Sequence, residues 1–97
     1  MRMMLQLTIP VERGNAAIKD GSIQKVIEET VKKLKPEATY FYPAHGRRRA
    51  LMVFDMAKES DIVGTLEPLW LGLEAEIELV PVMNLDDLEA GFKALSH

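Results

Sequence analysis

The sequence has no cysteine, few aromatic residues and little net charge, and each of these absences excludes a class of protein. Without cysteine, its 97 residues cannot form a disulfide scaffold, a thiolate zinc finger or a thiol enzyme. The formal net charge is -3, so no general electrostatic field attracts nucleic acid or an anionic membrane. No apolar run approaches the roughly 18 residues that span a bilayer.

The N-terminal segment does not read as a signal peptide, because it is polar and reaches Pro10 quickly. The missing cysteines fit a reducing compartment, and we expect a cytoplasmic protein. A length of 97 residues with 47% hydrophobic content predicts one domain, over residues 1–97, with a modest core.

Strand-like segments occur four times along the chain. Alternating apolar and polar residues predict strands over Met3–Ile9 and Ala75–Val82. Two β-rich runs, Thr39–Tyr42 and Ala50–Met56, predict a hairpin whose loop lies at His45–Arg48.

Helical periodicity separates these strands. An apolar stripe from Ile23 to Leu34 predicts one helix, and residues 15–20 are either a separate turn or the start of a bent helix. A turn is expected at Glu12–Gly14. A second helix is expected over Lys58–Leu66, and it either ends near Pro68 or carries its apolar stripe on through Leu69–Leu71 as a kinked or restarted turn. A third helix is expected after its N-cap Asn84.

The predicted order is β-α-β-β-α-β followed by a C-terminal helix, which is the α+β, ferredoxin-like arrangement. Its antiparallel sheet has the strand order 4-1-3-2. Proline placement agrees, because Pro43 and Pro81 fall in the strands expected at the edges, where a missing N–H is tolerated.

Both helices of such a fold cover one face of the sheet and leave the other, here called the open face, uncovered. Side-chain alternation assigns one set of residues to the helix side and one to the open face. The helix-side residues are Leu5, Leu7, Ile9, Phe41, Met52, Phe54, Ile77 and Leu79. The open-face residues are Met4, Gln6, Thr8, Tyr40, Tyr42, Leu51, Val53, Asp55, Glu76, Glu78 and Val80. A slip of one residue in the hairpin would invert its part of this assignment.

The open face predicts an interface between two copies. Met4, Leu51, Val53 and Val80 would form an exposed apolar patch in a monomer. A two-fold homodimer that packs the two open faces together would bury this patch.

The segments that carry this architecture resemble the dimeric α+β barrel superfamily. They are the opening Leu5–Pro10 with Arg13–Ile18, the hairpin Pro36–Met56, and the end from Glu76 to Ala90. Within the superfamily the sequence is similar to a family of short bacterial proteins of unknown function, distantly similar to muconolactone isomerases. The resemblance implies a homodimer that binds a small, partly hydrophobic molecule between sheet and helices. It also implies cofactor-free isomerase-like or monooxygenase-like chemistry as one possibility, and it transfers no catalytic residue.

His45 and Tyr42 are the candidate catalytic residues. His45 is the only histidine away from the C-terminus, and its pKa range suits acid–base catalysis. The alternative is a loop histidine beside a turn glycine. No cofactor is expected, and the single internal histidine and scattered carboxylates give no metal-ligand spacing.

Tyr40, Trp70, Arg49 and Glu78 are the candidate ligand-binding residues. The aromatic residues suit an apolar pocket, and an arginine suits a carboxylate or phosphate. Each also has a structural alternative. The aromatic residues could simply pack in the core or the dimer. Arg49 could belong to a solvated hairpin end, and Glu78 to an edge strand that charge protects from aggregation.

Two functions remain open at this stage. One is a small-molecule-binding protein or cofactor-free enzyme, and the other is a non-catalytic dimerisation module. An RNA-binding sheet is disfavoured, because its stacking aromatics should lie among basic residues and the fourth strand here carries glutamates. Neither nucleic acid nor a membrane is an expected partner.

Overall fold

The computed structural model describes residues 1–95 and confirms the α+β, ferredoxin-like fold. One four-stranded antiparallel sheet has the order β2-β3-β1-β4, which is the predicted order read from the opposite edge. None of the helices within these residues has the length and hydrophobicity needed to cross a membrane. The elements are β1 (Arg2–Ile9), α1 (Val11–Asp20), α2 (Ser22–Leu34), β2 (Ala38–Ala44), β3 (Arg47–Asp55), α3 (Asp61–Leu73), β4 (Glu76–Pro81) and α4 (Leu85–Ala94).

The core lies between the sheet and the helices, on the predicted side. Every second residue of β1 is buried, and Leu5 pairs with Met52 on β3 and Leu79 on β4. Leu69 and Leu73 of α3 close the core from above and are fully buried. The register also places Tyr40 beside Leu51, so the predicted phase of the hairpin is confirmed.

The first helical region differs from the expectation. Glu12–Gly14 is not a turn, because α1 begins at Val11 directly after Pro10, and the Gly14 amide donates to the Pro10 carbonyl at 2.8 Å. Gly21 then separates α1 from α2 with a φ of 81°, a left-handed conformation that glycine adopts readily. The two helices are therefore distinct.

The hairpin is tighter than expected. His45 and Gly46 form the whole turn, with φ angles of 55° and 74°, as a two-residue turn with positive φ at both positions requires. Arg47 and Arg48 consequently belong to β3, where they pair with Ala44 and Pro43 rather than lying in a loop. β2 accommodates Pro43 because it is an edge strand.

α3 continues through Pro68 and ends at Leu73, seven residues beyond the predicted end at Leu66. Proline has no N–H, so Pro68 leaves the Gly64 carbonyl without its usual helical donor. The Lys33 ammonium, which α2 presents to α3, donates to that carbonyl at 2.6 Å. A contact between helices thus replaces the missing hydrogen bond, and the fully buried Leu69 and Leu73 hold the part of α3 after Pro68 in the core.

α4 is the one helix within residues 1–95 that buries none of its side chains. It starts with a capping box, in which Asn84 accepts from the Asp87 amide and Asp87 accepts from the Asn84 amide.

The molecule is elongated. Its radius of gyration is 15.6 Å and its longest dimension 57 Å, whereas a compact domain of this length has a radius of gyration of about 12.5 Å. The elongated shape and the exposed helix leave the apolar stripe of α4 uncovered. That stripe consists of Leu85, Leu88, Phe92 and Leu95.

Candidate functional site

The open face carries a polar row across all four strands. Tyr42, Arg49, Thr8 and Glu76 are consecutive partners in the strand pairing. The Arg49 Nε donates to the Thr8 hydroxyl at 2.9 Å, and the guanidinium lies 5.7 Å from the centre of the Tyr42 ring. Thr8, Arg49 and Tyr42 therefore form one cluster, in which a hydrogen bond joins Arg49 to Thr8 and a cation–π contact joins Arg49 to Tyr42.

The next row of the open face is less ordered. Tyr40, Leu51, Gln6 and Glu78 are paired in sequence across the sheet, and both end members, Tyr40 and Glu78, are exposed. Neither makes a hydrogen bond or ion pair within residues 1–95. Glu76, by contrast, lies 3.8 Å from Arg47, so one glutamate of β4 pairs with the hairpin as the structural alternative expected.

The structure does not bring His45 and Trp70 into this cluster. His45 lies in the exposed two-residue turn and has no hydrogen-bond or ion-pair partner among the described residues. Trp70 belongs to α3, which packs on the opposite side of the sheet from Tyr40 and Tyr42, and 43% of its surface is exposed. The pocket expected from Tyr40, Tyr42, His45 and Trp70 is therefore not assembled in the single chain.

A separate apolar cleft of about 370 Å³ lies between α2 and the β2–β3 edge of the sheet. Its floor is formed by Leu7, Ile9 and Ala50, and its helix wall by Ile23 and Ile27. The cleft exists because the sheet extends past the helix layer at this edge. Its size falls within the range of small-molecule sites, which begins at about 300 Å³.

Phe41 stands at the lip of this cleft. Its partner in the pairing is Ala50, so it points to the helix side as predicted, yet 56% of its surface is exposed. The Phe41 ring faces the core side but stays solvated, so no other large side chain covers it. Phe41 is thus the helix-side aromatic available to a ligand.

Arg48 lines the same cleft and is half-buried. Its Nη2 donates to the Asn15 side-chain oxygen of α1 at 3.1 Å. Its Nη1 lies against Gly14, where an added Cβ would come within 2.6 Å of that nitrogen. The absence of a side chain at Gly14 therefore makes the room in which the guanidinium lies.

The larger depression of about 690 Å³, at the end of the sheet near α4, is occupied by ion pairs. Arg2 donates to Glu37 at 2.6 Å and to Asp87 at 3.3 Å, and the hydrogen bond with Glu37 is the main cause that raises the pKa of the Arg2 guanidinium. These contacts tie the start of α4 to the open side of the sheet. Within residues 1–95 no group of three or more acidic or histidine side chains is arranged to hold a metal ion.

The resemblance predicts a ligand between sheet and helices, where this cleft lies. Neither Phe41 nor Arg48, which face the cleft, was among the candidate ligand-binding residues. Strand alternation separates Arg48 from Arg47 and Arg49 and places it on the same side as Phe41. What the sequence did not reveal is that α2 leaves this edge of the sheet uncovered. The combination of an exposed helix-side aromatic and a helix-side arginine was the available clue.

Comparison with known proteins supports the fold alone. No family profile and no curated protein sequence matches the chain. The regulatory subunit of aspartate kinase from Thermus flavus is similar in structure, with a TM-score of 0.52 and 18% identity over 82% of this chain and 51% of that one. The designed protein Ferredog-Diesel aligns over 84% of this chain and 85% of its own, with a TM-score of 0.49 and 10% identity. The alignment with the aspartate kinase regulatory subunit thus covers only about half of that subunit's length.

Proposed function

We propose that the protein binds a small, partly hydrophobic molecule in the cleft between α2 and the β2–β3 edge. The observation that carries the proposal is an apolar cleft of about 370 Å³ with an exposed Phe41 at its lip. Burying that ring and the walls of Ile23 and Ile27 against a ligand removes apolar surface from water, at about 25 cal/mol per Å². The resemblance to dimeric α+β barrel proteins, including muconolactone isomerases, points to the same kind of ligand.

Binding rather than catalysis is the proposed activity of the cleft. Its lining contains neither a histidine nor a carboxylate, so it holds no acid–base pair of the kind that proton transfer needs. His45 is the natural acid–base candidate, and it stands in the exposed turn instead. Tyr42 belongs to the lining but His45 does not, so a cofactor-free isomerase or monooxygenase would need a substrate that reaches His45 beyond the cleft.

Adjacent residues of β2 provide a matched test of the site. Phe41 faces the cleft and Tyr40 faces the opposite side of the sheet, and both rings are more than half exposed, at 56% and 65%. After a thermal-shift screen of small aromatic acids and lactones, we expect Phe41→Ser to weaken binding of each hit and Tyr40→Ser to leave it unchanged. The opposite result would place the site on the open face, and a screen without any hit would contradict the proposal.

We also propose that the chain forms a homodimer through its open face, in a dimeric α+β barrel arrangement. Two uncovered apolar surfaces support this: the patch of Met4, Leu51 and Val53 and the stripe of α4. A ten-residue helix is marginal in water by itself, so α4 needs a covering surface.

The stripe of α4 lies where it can add to this interface. Stable interfaces bury about 800 Å² of accessible surface on each partner, so a stable dimer needs apolar side chains besides Met4, Leu51 and Val53. The stripe of α4, which starts on the open side because Arg2 bonds Asp87, supplies additional apolar area next to the sheet.

Light scattering at micromolar concentration tests the dimer directly, and we expect twice the mass of the 10.9 kDa chain. A monomer would contradict the proposal. A dimer that forms without burying Leu51 or Leu88, as judged by hydrogen exchange or cross-linking, would contradict this arrangement.

A further inference from the structure

We propose that the ligand of the cleft is a monocarboxylate with a hydrocarbon or aromatic body, and that Arg48 binds its carboxylate. This inference rests on the proposed function of the same cleft and goes further, because it names the chemical class of the ligand. It depends on three features: the missing counter-ion of Arg48, the charge of the lining, and the place made for the guanidinium by Gly14.

Arg48 and Arg49 differ from the other arginines in having neutral partners only, and of these two Arg48 is the one on the helix side of the sheet, where the cleft lies. Arg2 pairs with Glu37 and Asp87, Arg13 with Glu74, and Arg47 with Glu76. Within residues 1–95 no carboxylate lies within ion-pair distance of Arg48, whose one hydrogen bond is to the amide oxygen of Asn15. A guanidinium has five N–H donors, so most of the donors of this half-buried group lack a protein partner.

The charge of the lining selects an anion. The residues around the cleft include neither aspartate nor glutamate, and of its two arginines Arg48 is on the cleft side of the sheet, whereas the Arg49 guanidinium lies over Tyr42 on the open face. The remaining lining side chains are apolar or aromatic. A carboxylate matches the fork geometry of a guanidinium and can accept two parallel hydrogen bonds. A second acidic group on the ligand would have to lie against Ile23, Ile27 or Leu7, where it would lose its hydration. The cleft therefore fits one acidic group and an apolar body.

Gly14 leaves the room in which the guanidinium lies. Glycine within a helix costs about 1 kcal/mol relative to alanine, so its presence in the second turn of α1 needs a reason. A Cβ at this position would come within 2.6 Å of the Arg48 Nη1 and 3.3 Å of the Ile9 side chain. The bare backbone lets the guanidinium lie over α1, beside the mouth of the cleft. Gly14 is thus a positioning residue for Arg48.

Paired probes test the inference. We would titrate the whole protein with phenylacetate, 4-phenylbutanoate and 4-methylpentanoate, each against its neutral primary amide, by NMR or calorimetry. We expect each acid to bind about tenfold more tightly than its amide, because a charge-assisted bidentate pair replaces a neutral hydrogen bond.

Two arginine variants separate a specific contact from a general effect of charge. Arg48→Met keeps an apolar chain in the cleft and should remove the preference for the acid, leaving the amide affinity within about twofold. Arg47→Met removes the same charge from the neighbouring residue on the other side of β3, and it should keep the preference. Equal loss in both variants would overturn the inference, because only a long-range field would then be acting.

Gly14→Ala tests the placement of the Arg48 guanidinium without changing the charge of the protein. The added methyl should displace the guanidinium and reduce the preference for the acid several-fold, with circular dichroism showing an intact fold. A preference unchanged in Gly14→Ala and in Arg48→Met would overturn the role of Arg48.

The titration of the unmodified protein separates this inference from the proposed function. If acids and amides bind equally, the carboxylate inference is wrong while the cleft remains a binding site. If neither probe set binds, both proposals are wrong.

Discussion

The two faces of the sheet are built from the same four strands and differ in what covers them. On the helix side, Leu5 and Met52 are completely buried, whereas Leu51, one residue from Met52 in the chain, is only half-buried on the open face. The arginines show the same contrast, because Arg48 lies in the cleft on the helix side and Arg49 contacts Tyr42 on the open face. In a strand, a shift of one residue therefore separates a core or ligand position from an interface position.

The largest expected effect concerns stability and uses one leucine from each face. Leu5→Ala should lower the free energy of unfolding by about 3 kcal/mol, because it leaves a cavity in the core between sheet and helices. Leu51→Ala should cost about 1 kcal/mol, since its side chain retains contact with solvent in the single chain. Urea unfolding followed by circular dichroism measures both.

Repeating the unfolding measurements at several protein concentrations distinguishes the two leucines further. The loss for Leu51→Ala should vary with concentration, because a mutation in an interface acts partly through association, whereas the loss for Leu5→Ala should be nearly constant. Equal and concentration-independent losses would mean that the two faces are covered alike.

The next prediction tests the open face by association. Leu51→Glu should raise the dissociation constant of the homodimer about 100-fold, because each interface would bury two new carboxylates without a partner. Analytical ultracentrifugation over a range of concentrations measures this change. Lys32→Glu, an exposed change on α2, serves as a control for altered charge and should leave the dimer intact. An undiminished dimer in Leu51→Glu would show that the open face is not the interface.

Most of the fold was accessible from the sequence because its signals are local. The order of the elements along the chain predicted the strand order, with which Pro43 and Pro81 agreed, and alternation in β1 and β4 predicted the two faces. The sequence left open whether α3 ends near Pro68 or continues beyond it. The continuation involves contacts with distant residues, namely the burial of Leu69 and Leu73 in the core and the bond from Lys33 to the Gly64 carbonyl.

The site was less accessible, since it depends on what the helices leave uncovered. The alternation correctly placed Tyr40 and Tyr42 on the open face and Phe41 on the other side. Trp70 could not be placed, because its direction on α3 is set by the extension of that helix to Leu73. The cleft depends on the lateral position of α2 over the sheet, which has no signature in the residues of either element.

The smallest expected effect concerns the attachment of α4 to the open side. Asn84→Ala removes the side chain that accepts from the Asp87 amide, and such caps contribute about 1 kcal/mol to a helix. Unfolding of the core should be almost unaffected in urea, because α4 buries none of its side chains in the single chain. The dissociation constant of the dimer should rise about fivefold, since the capped helix must be formed when it packs against the second copy. Asn84→Asp, which keeps an accepting oxygen at the same position, should restore most of the association. Loss of core stability with unchanged association would show that α4 supports its own chain rather than the interface.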